Sequence, residues 1–142
     1  MLAAATAILA AVVRLRPRRV SIEGTSMLPS LAPGDRLLVV KLRSPRPGDI
    51  VALRDPEEPG RMLVKRVVTV GPSGVNVCGD NSMASRDSRV FGPVRPEAVL
   101  GQAVYRYFPA AEAASLRHLD ASGSTLGRDG HAPGGHRPST GS

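Results

Sequence analysis

Between residues 18 and 109 the sequence breaks into short runs rich in Val, Leu and Ile, separated by Pro, Gly, Asp and Ser. Runs of this length bounded by turn residues read as strands. The candidates are Arg18–Glu23, Arg36–Lys41, Asp49–Arg54, Met62–Val70, Gly74–Cys78 and Val99–Tyr107. Pro-Gly-Asp occurs at 33–35 and again at 47–49, each time just before a run. Proline presets one turn dihedral and glycine supplies the unusual one, so both are expected to be hairpin corners. No long amphipathic helix interrupts the series. The predicted fold class is therefore mostly β, one compact barrel or sandwich domain.

The two ends of the chain differ from this middle. Leu2 to Val13 is an uncharged, Ala-rich apolar run, followed directly by Arg14, Arg16, Arg18 and Arg19. Twelve helical residues reach only about 18 Å, against roughly 30 Å of bilayer hydrocarbon. The run also lacks the positive leading region of an ordinary signal peptide. It reads as a short membrane anchor, as an interfacial helix with a basic flank, or as a soluble N-terminal helix. If it spans, the arginines keep its C-terminal side cytoplasmic. Residues 1–17 are thus a short apolar segment with a basic flank, and residues 18–109 the folded domain. From 110 to 142 one or more helical turns are expected over Ala110–Leu119, and Gly, Ser, Pro, Arg and His dominate beyond them. That composition buries too little apolar area to offset ordering entropy, so the tail is expected to be disordered.

Composition removes whole classes of chemistry. The formal charge is +7, with 17 Arg and two Lys, Lys41 and Lys65. A basic balance suits an anionic membrane surface or nucleic acid. Nucleic acid is disfavoured, because Phe91, Tyr105, Tyr107 and Phe108 cluster late instead of interleaving with basic residues as stacking platforms. Cys78 is the only cysteine, which excludes an intrachain disulfide and a cysteine-based zinc site. His118, His131 and His136 all lie in the tail, without paired metal-ligand spacing. A Ser-His-Asp triad therefore has no histidine inside the folded region. No metal and no other cofactor is expected.

What remains for nucleophilic catalysis is a serine with a lysine base. Ser26 stands in Gly24-Thr25-Ser26-Met27-Leu28-Pro29, where a strand ends and a glycine allows a sharp turn. Such a corner can expose a hydroxyl and free backbone N–H groups for an oxyanion. Taken alone, the segment reads more simply as a serine capping a short helix. Lys65 stands in Met62-Leu63-Val64-Lys65-Arg66-Val67-Val68, and on a strand Leu63, Lys65 and Val67 share a face. An apolar face desolvates the amine and lowers its pKa. The ordinary alternative is an edge-strand lysine that discourages aggregation, a role that suits Arg66 on the opposite face better. The third element is the polar stretch from Gly79 to Arg89. Within it Asp87 can pair with Arg89, and Ser85 or Ser88 can bond the lysine amine. Asp80 and Asp87 also stand as paired carboxylates, or as braces of an ordinary solvated loop.

Together these segments resemble the signal peptidase I family, which includes the mitochondrial inner-membrane peptidases. The nucleophile box is Gly24-Thr25-Ser26-Met27-Leu28-Pro29-Ser30-Leu31, and Pro47-Gly48-Asp49-Ile50-Val51 matches the next. Val64-Lys65-Arg66-Val67 is the lysine box, and Gly79-Asp80-Asn81 with Ser85, Asp87, Ser88 and Arg89 is the last. The resemblance covers about residues 18–108, in the family's order. It implies a β fold, a Ser/Lys-dyad serine endopeptidase, and removal of N-terminal signal or leader peptides from precursor proteins. It carries Ser26 over as nucleophile, Lys65 as general base and Ser85 as the hydroxyl that orients the lysine. Asp87 and Arg89 carry over as support, and the Ser26 N–H as one oxyanion donor. Gly24, Thr25, Met27 and Pro29 carry over as the substrate-binding surroundings.

Some members use a serine side chain two residues before the nucleophile as a second oxyanion donor. Gly24 stands there in this chain, so that donor is open. Only 13 residues separate Lys65 from Gly79, too few for the extra domain of larger members. The compact length and the wording of the boxes are most similar to the branch linked to maturation of nickel-containing superoxide dismutase. The implied partners are a precursor protein with a leader peptide and a membrane, with the catalytic domain facing the cytoplasm; no nucleic acid is implied. Two other readings stay open. One is a self-cleaving Ser/Lys regulator, although 25 residues ahead of Ser26 are too few for a DNA-binding domain and linker. The other is a non-enzymatic basic β-module that binds a membrane or a partner protein, with Ser26 as a cap.

Overall fold

The computed structural model describes residues 2–117, with residues 11–14 as backbone alone. The strands are β1 (Arg18–Ser21), β2 (Arg36–Val40), β3 (Ile50–Arg54), β4 (Met62–Gly71), β5 (Gly74–Cys78), β6 (Val99–Phe108) and β7 (Ala114–Ser115). They form one antiparallel sheet in the order β1-β2-β6-β3-β4-β5, with β7 added against β6. The mostly β fold is as expected, and the six predicted strands lie within two residues of their expected limits. The choice between barrel and sandwich resolves to a single sheet with a core on each face.

Strand β3 shows how one sheet supports two cores. Four of its five residues are buried, so it reads as a continuous apolar run rather than an alternating one. Successive side chains point to opposite faces. Ile50 and Ala52 join Val20, Leu37, Val39 and the loop residues Met27 and Leu31. Val51 and Leu53 join Val67, Val75, Val77, Val94 and Val99 on the other face. Met27 and Leu31, at 1% and 0% exposure, pin the segment between β1 and β2 onto the first core.

The two Pro-Gly-Asp turns have different jobs. The first lies between β1 and β2, which pair directly, so it is the expected corner. The second is not a hairpin corner, because β6 stands between β2 and β3. It closes a crossover and is held against β4 instead: Gly48 N–H donates to Val67 O and Val67 N–H to Asp49 O, both at 2.8 Å. Positive φ at Gly34 and Gly48 makes each turn.

The folded unit reaches past the expected boundary at 109. After β6 the chain makes one tight turn over Ala110–Glu112 and then pairs as β7. The expected helical turn is present as the single 3-10 turn Ala110–Glu112, and the chain then leaves it for β7 as Leu116 is drawn into the core at 4% exposure. Residues 118–142, which carry the expected disordered tail and the three histidines, lie outside the described residues. At the other end α1 (Leu2–Leu15) is an apolar helix whose residues 2–10 are exposed. Its 14 residues measure about 21 Å, and no helix among the described residues is long and apolar enough to cross a membrane.

Candidate active site

Lys65 sits midway along β4, opposite Val51 of β3, at 3% exposure. It is not a solvent-facing edge lysine, because it is buried even though β4 pairs with β5 only from Arg66 onward. Leu63 and Val67 share its face and pack into the second core. Burial pushes the Lys65 pKa down; the Asp87 carboxylate opposes this, and the Arg61 and Arg86 cations add to it.

The amine has a hydroxyl partner. Lys65 Nζ lies 3.0 Å from Ser85 Oγ. Ser85 Oγ in turn donates to Asp87 Oδ2 at 2.8 Å and accepts the Gly79 N–H at 3.1 Å. A serine hydroxyl has one proton to give. With that proton donated in the bond to the Asp87 carboxylate, Ser85 accepts an N–H from the Lys65 amine. Ser88, the other serine considered for this contact, accepts the Val77 N–H instead.

Asp87 is fully buried. Burial raises its pKa, but bonds from the Arg89 side chain, the Gly79 N–H and Ser85 hold it well below the usual carboxylate range. Arg89 reaches both carboxylate oxygens, at 2.9 and 2.8 Å. Asp87 also caps the short helix α2 (Ser88–Phe91) by accepting the Arg89 N–H. Asp80 and Asp87 do not form a carboxylate pair; each has its own arginine.

Ser26 is half-buried in a turn, with no helix after it for a capping serine to open. Its carbonyl accepts the Asn81 N–H at 2.9 Å, and Asn81 Nδ2 donates to Thr25 O at 3.1 Å. Its own N–H donates to nothing among the described residues. Gly24 has φ +74°, a conformation that favours glycine.

A further network was missed in the sequence. Arg66 is not a solvent-side residue: it is buried and forks onto Asp80 with two bonds of 2.8 Å. It also donates to Gly48 O at 3.0 Å, and Asp80 accepts the Ser30 hydroxyl. One guanidinium thus ties the nucleophile segment, the second Pro-Gly-Asp turn and the last box together. A signal existed in the opposite charges of Arg66 and Asp80, both inside the boxes. Gly79 is the tightest junction, because a Cβ there would lie 2.3 Å from Ser85 Oγ and 2.5 Å from Ser26 O.

Ser26 and Lys65 line one cleft of about 610 Å³. Gly24, Thr25 and Met27 line it too, Met27 mostly as core; Pro29 is exposed and outside it. One wall runs along β1 toward Ser26 and the other along the head of β4 toward Lys65. Both walls have open strand edges. β1 ends the sheet, and β4 pairs with β5 only from Arg66 onward. Among the described residues no cluster of three His, Cys, Asp or Glu is arranged to hold a metal.

A buried amine and a serine hydroxyl thus line one strand-edged cleft. The family described as "Signal peptidase, peptidase S26" matches residues 1–78 and 70–108, and the chain belongs to it. Mitochondrial ATP-independent inner membrane protease subunit 1a of Arabidopsis thaliana is 35% identical over 123 residues, 68% of this chain and 73% of that protein. Subunit 1b from the same organism is 34% identical over 113 residues, 61% of this chain and 67% of that protein. Probable signal peptidase I-1 of Synechocystis is 29% identical over 138 residues, 63% of this chain and 70% of that protein. The protein is a serine endopeptidase that cleaves signal peptides from precursor proteins. The reading as a non-enzymatic β-module falls with this membership.

Proposed function

We propose that Ser26 is the nucleophile and Lys65 the general base. The observation that carries this is the buried lysine whose hydrogen-bond partner among the described residues, Ser85, is itself fixed by Asp87. Neutral Lys65 takes the Ser26 proton as Oγ attacks the scissile carbonyl. The free Ser26 N–H stabilises the oxyanion of the tetrahedral intermediate. Protonated Lys65 then gives its proton to the leaving amine, and water attacks the acyl-enzyme by the reverse route. Ser85 orients the Lys65 amine through its hydrogen bond, and Asp87 and Arg89 hold Ser85 in place without touching the reacting atoms. The leader peptide binds extended in the cleft, adding a strand between the open edges of β1 and β4. Gly24 and Thr25 flank the scissile bond.

The specific substrate we propose is the precursor of nickel-type superoxide dismutase. Support comes from the compact spacing of the boxes and their wording. The apolar helix α1 and the exposed Arg16, Arg18 and Arg19 favour a membrane-surface position with the sheet domain on the cytoplasmic side.

Candidate precursors, the nickel-type dismutase precursor among them, are incubated with the full chain and the cut sites mapped by mass spectrometry. Ser26→Ala and Lys65→Ala should abolish cleavage while the fold persists. Lys65→Arg should fail as well, because arginine cannot lose its proton. Wild-type turnover by any of the three removes the dyad; cleavage of other precursors but not the dismutase removes the substrate alone.

A further inference from the structure

A second buried carboxylate is tied into the loop that carries Ser85. Asp55, the residue after β3, is 1% exposed. Its Oδ1 accepts the N–H groups of Glu57 at 2.9 Å and Glu58 at 3.3 Å. Its own N–H donates to Arg61 O at 2.9 Å, so residues 55–61 close into a loop that ends where β4 begins. Asp55 Oδ2 accepts Arg86 Nη2 at 2.8 Å, and Arg86 Nη1 bonds Glu57. Arg86 stands between Ser85 and Asp87 in the chain and lines the cleft with Lys65 and Arg61. One ion pair therefore joins the two segments that flank the lysine.

Exposed ion pairs contribute little, but here the Asp55 side chain is fully buried. Taking away its cation would leave a buried carboxylate uncompensated. The pair also spans a junction that the backbone does not: nothing in the ladder of β4 fixes where the 82–87 loop stands over Met62–Lys65, because β5 pairs only beyond that stretch.

We infer that the Asp55–Arg86 pair positions the base, clamping the Ser85-bearing loop to the head of β4 and fixing a cation in the cleft wall beside Lys65. The inference rests on the dyad reading. The groups that face Lys65 are Asp87 and Arg86 from the loop, Cys78 from β5 and Arg61 at the head of β4. Asp87 favours the protonated amine, whereas Arg61 and Arg86 disfavour it. Loss of the Arg86 charge therefore moves the lysine toward its protonated form. Arg86 is a positioning residue, acting on the peptide only through Lys65 and Ser85.

The test uses the full chain and an internally quenched peptide spanning an Ala-x-Ala leader junction. kcat and KM are measured against pH for wild type, Arg86→Met, Arg86→Lys, Asp55→Asn and Lys65→Ala, with thermal unfolding to establish folding. Arg86→Met should move the acid limb of kcat to higher pH and lower neutral-pH kcat by up to about a hundredfold, with KM little changed. Arg86→Lys should restore the limb but not the full kcat, since an ammonium cannot fork onto Asp55 and Glu57. Asp55→Asn keeps acceptors for the Glu57 and Glu58 N–H groups but releases Arg86, and should lower kcat. A folded Arg86→Met with the wild-type limb, or a loss confined to KM, overturns the inference. Lys65→Ala separates the two failures: if it is inactive while Arg86→Met is unaffected, the latch alone is wrong, and if it is active, the dyad and the latch fall together.

Discussion

A single methyl group at Gly79 tests whether the candidate site is packed as described. An added Cβ would stand 2.3 Å from Ser85 Oγ, 2.5 Å from Ser85 Cβ and 2.5 Å from the Ser26 carbonyl oxygen. Ordinary contact begins at 3.4 Å, so these neighbours are about 1 Å too near. None of them is the loose end of a flexible side chain. Ser26 O is held by the Asn81 N–H, and Ser85 Oγ is bonded to Lys65, Asp87 and the Gly79 N–H. Alanine keeps that N–H, so the hydrogen bond is not what Gly79→Ala changes. The change is steric, and it must push Ser26 and Ser85 apart. Overpacking of this kind costs about 1–3 kcal/mol, or roughly 5–20 °C in Tm for a domain of this size. A displacement near 1 Å at reacting groups costs about a hundredfold in rate. The assay is kcat/KM on the quenched peptide, well below the variant's Tm, beside thermal unfolding. Gly60→Ala is the control, since a Cβ there meets nothing within 4 Å. Its expected effect is within about 0.5 kcal/mol. A folded Gly79→Ala with kcat/KM close to wild type would refute the convergence of the two segments at this point.

Two other perturbations follow from the site. Burial lowers the Lys65 pKa, Asp87 opposes this and Arg61 and Arg86 add to it, so over the window between the lowered folded value and the ordinary unfolded value the unfolded chain binds more protons. Stability should therefore rise with pH across that window and be flat in this respect below it. Lys65→Met removes the titration, so wild-type Tm should climb toward alkaline pH relative to the variant, which should be the more stable at neutral pH; parallel Tm curves would remove the case for a desolvated amine. Gly24→Ser would place a hydroxyl where some family members keep an oxyanion donor, but φ +74° there costs a side chain about 1–2 kcal/mol. Its kcat on the quenched peptide should fall, and a rise would show that the loop can accept the missing donor.

The strands were legible because burial leaves a local trace. Runs of Val, Leu and Ile bounded by Pro and Gly gave β2 to β6 within a residue of their limits. Strand order leaves no such trace. The insertion of β6 between β2 and β3 depends on pairs 46 to 72 residues apart in the chain, and so the second Pro-Gly-Asp turn looked like a hairpin corner. β7 was missed for a related reason: two paired residues and one buried leucine are too short a pattern to show a period.

The site divides along the same line. Alternation along β4 correctly set Lys65 with Leu63 and Val67, and correctly set Arg66 on the other face. It went wrong in taking that other face for solvent, because nothing local says that the Ser26 segment folds across it. Once that segment is pinned by Met27 and Leu31, Arg66 is enclosed, and an enclosed guanidinium requires a carboxylate. Asp80 meets that need from the last box, and Ser30 and Gly48 complete the contacts. The adjacent residues of β4 therefore divide the work. Burial lowers the pKa of Lys65 on one face, while the Arg66 guanidinium on the other holds three loops in register. A lysine at 66 would lose the fork onto Asp80, and an arginine at 65 would lose the proposed base. The Lys-Arg order within the box is thus fixed by chemistry on both faces of the strand.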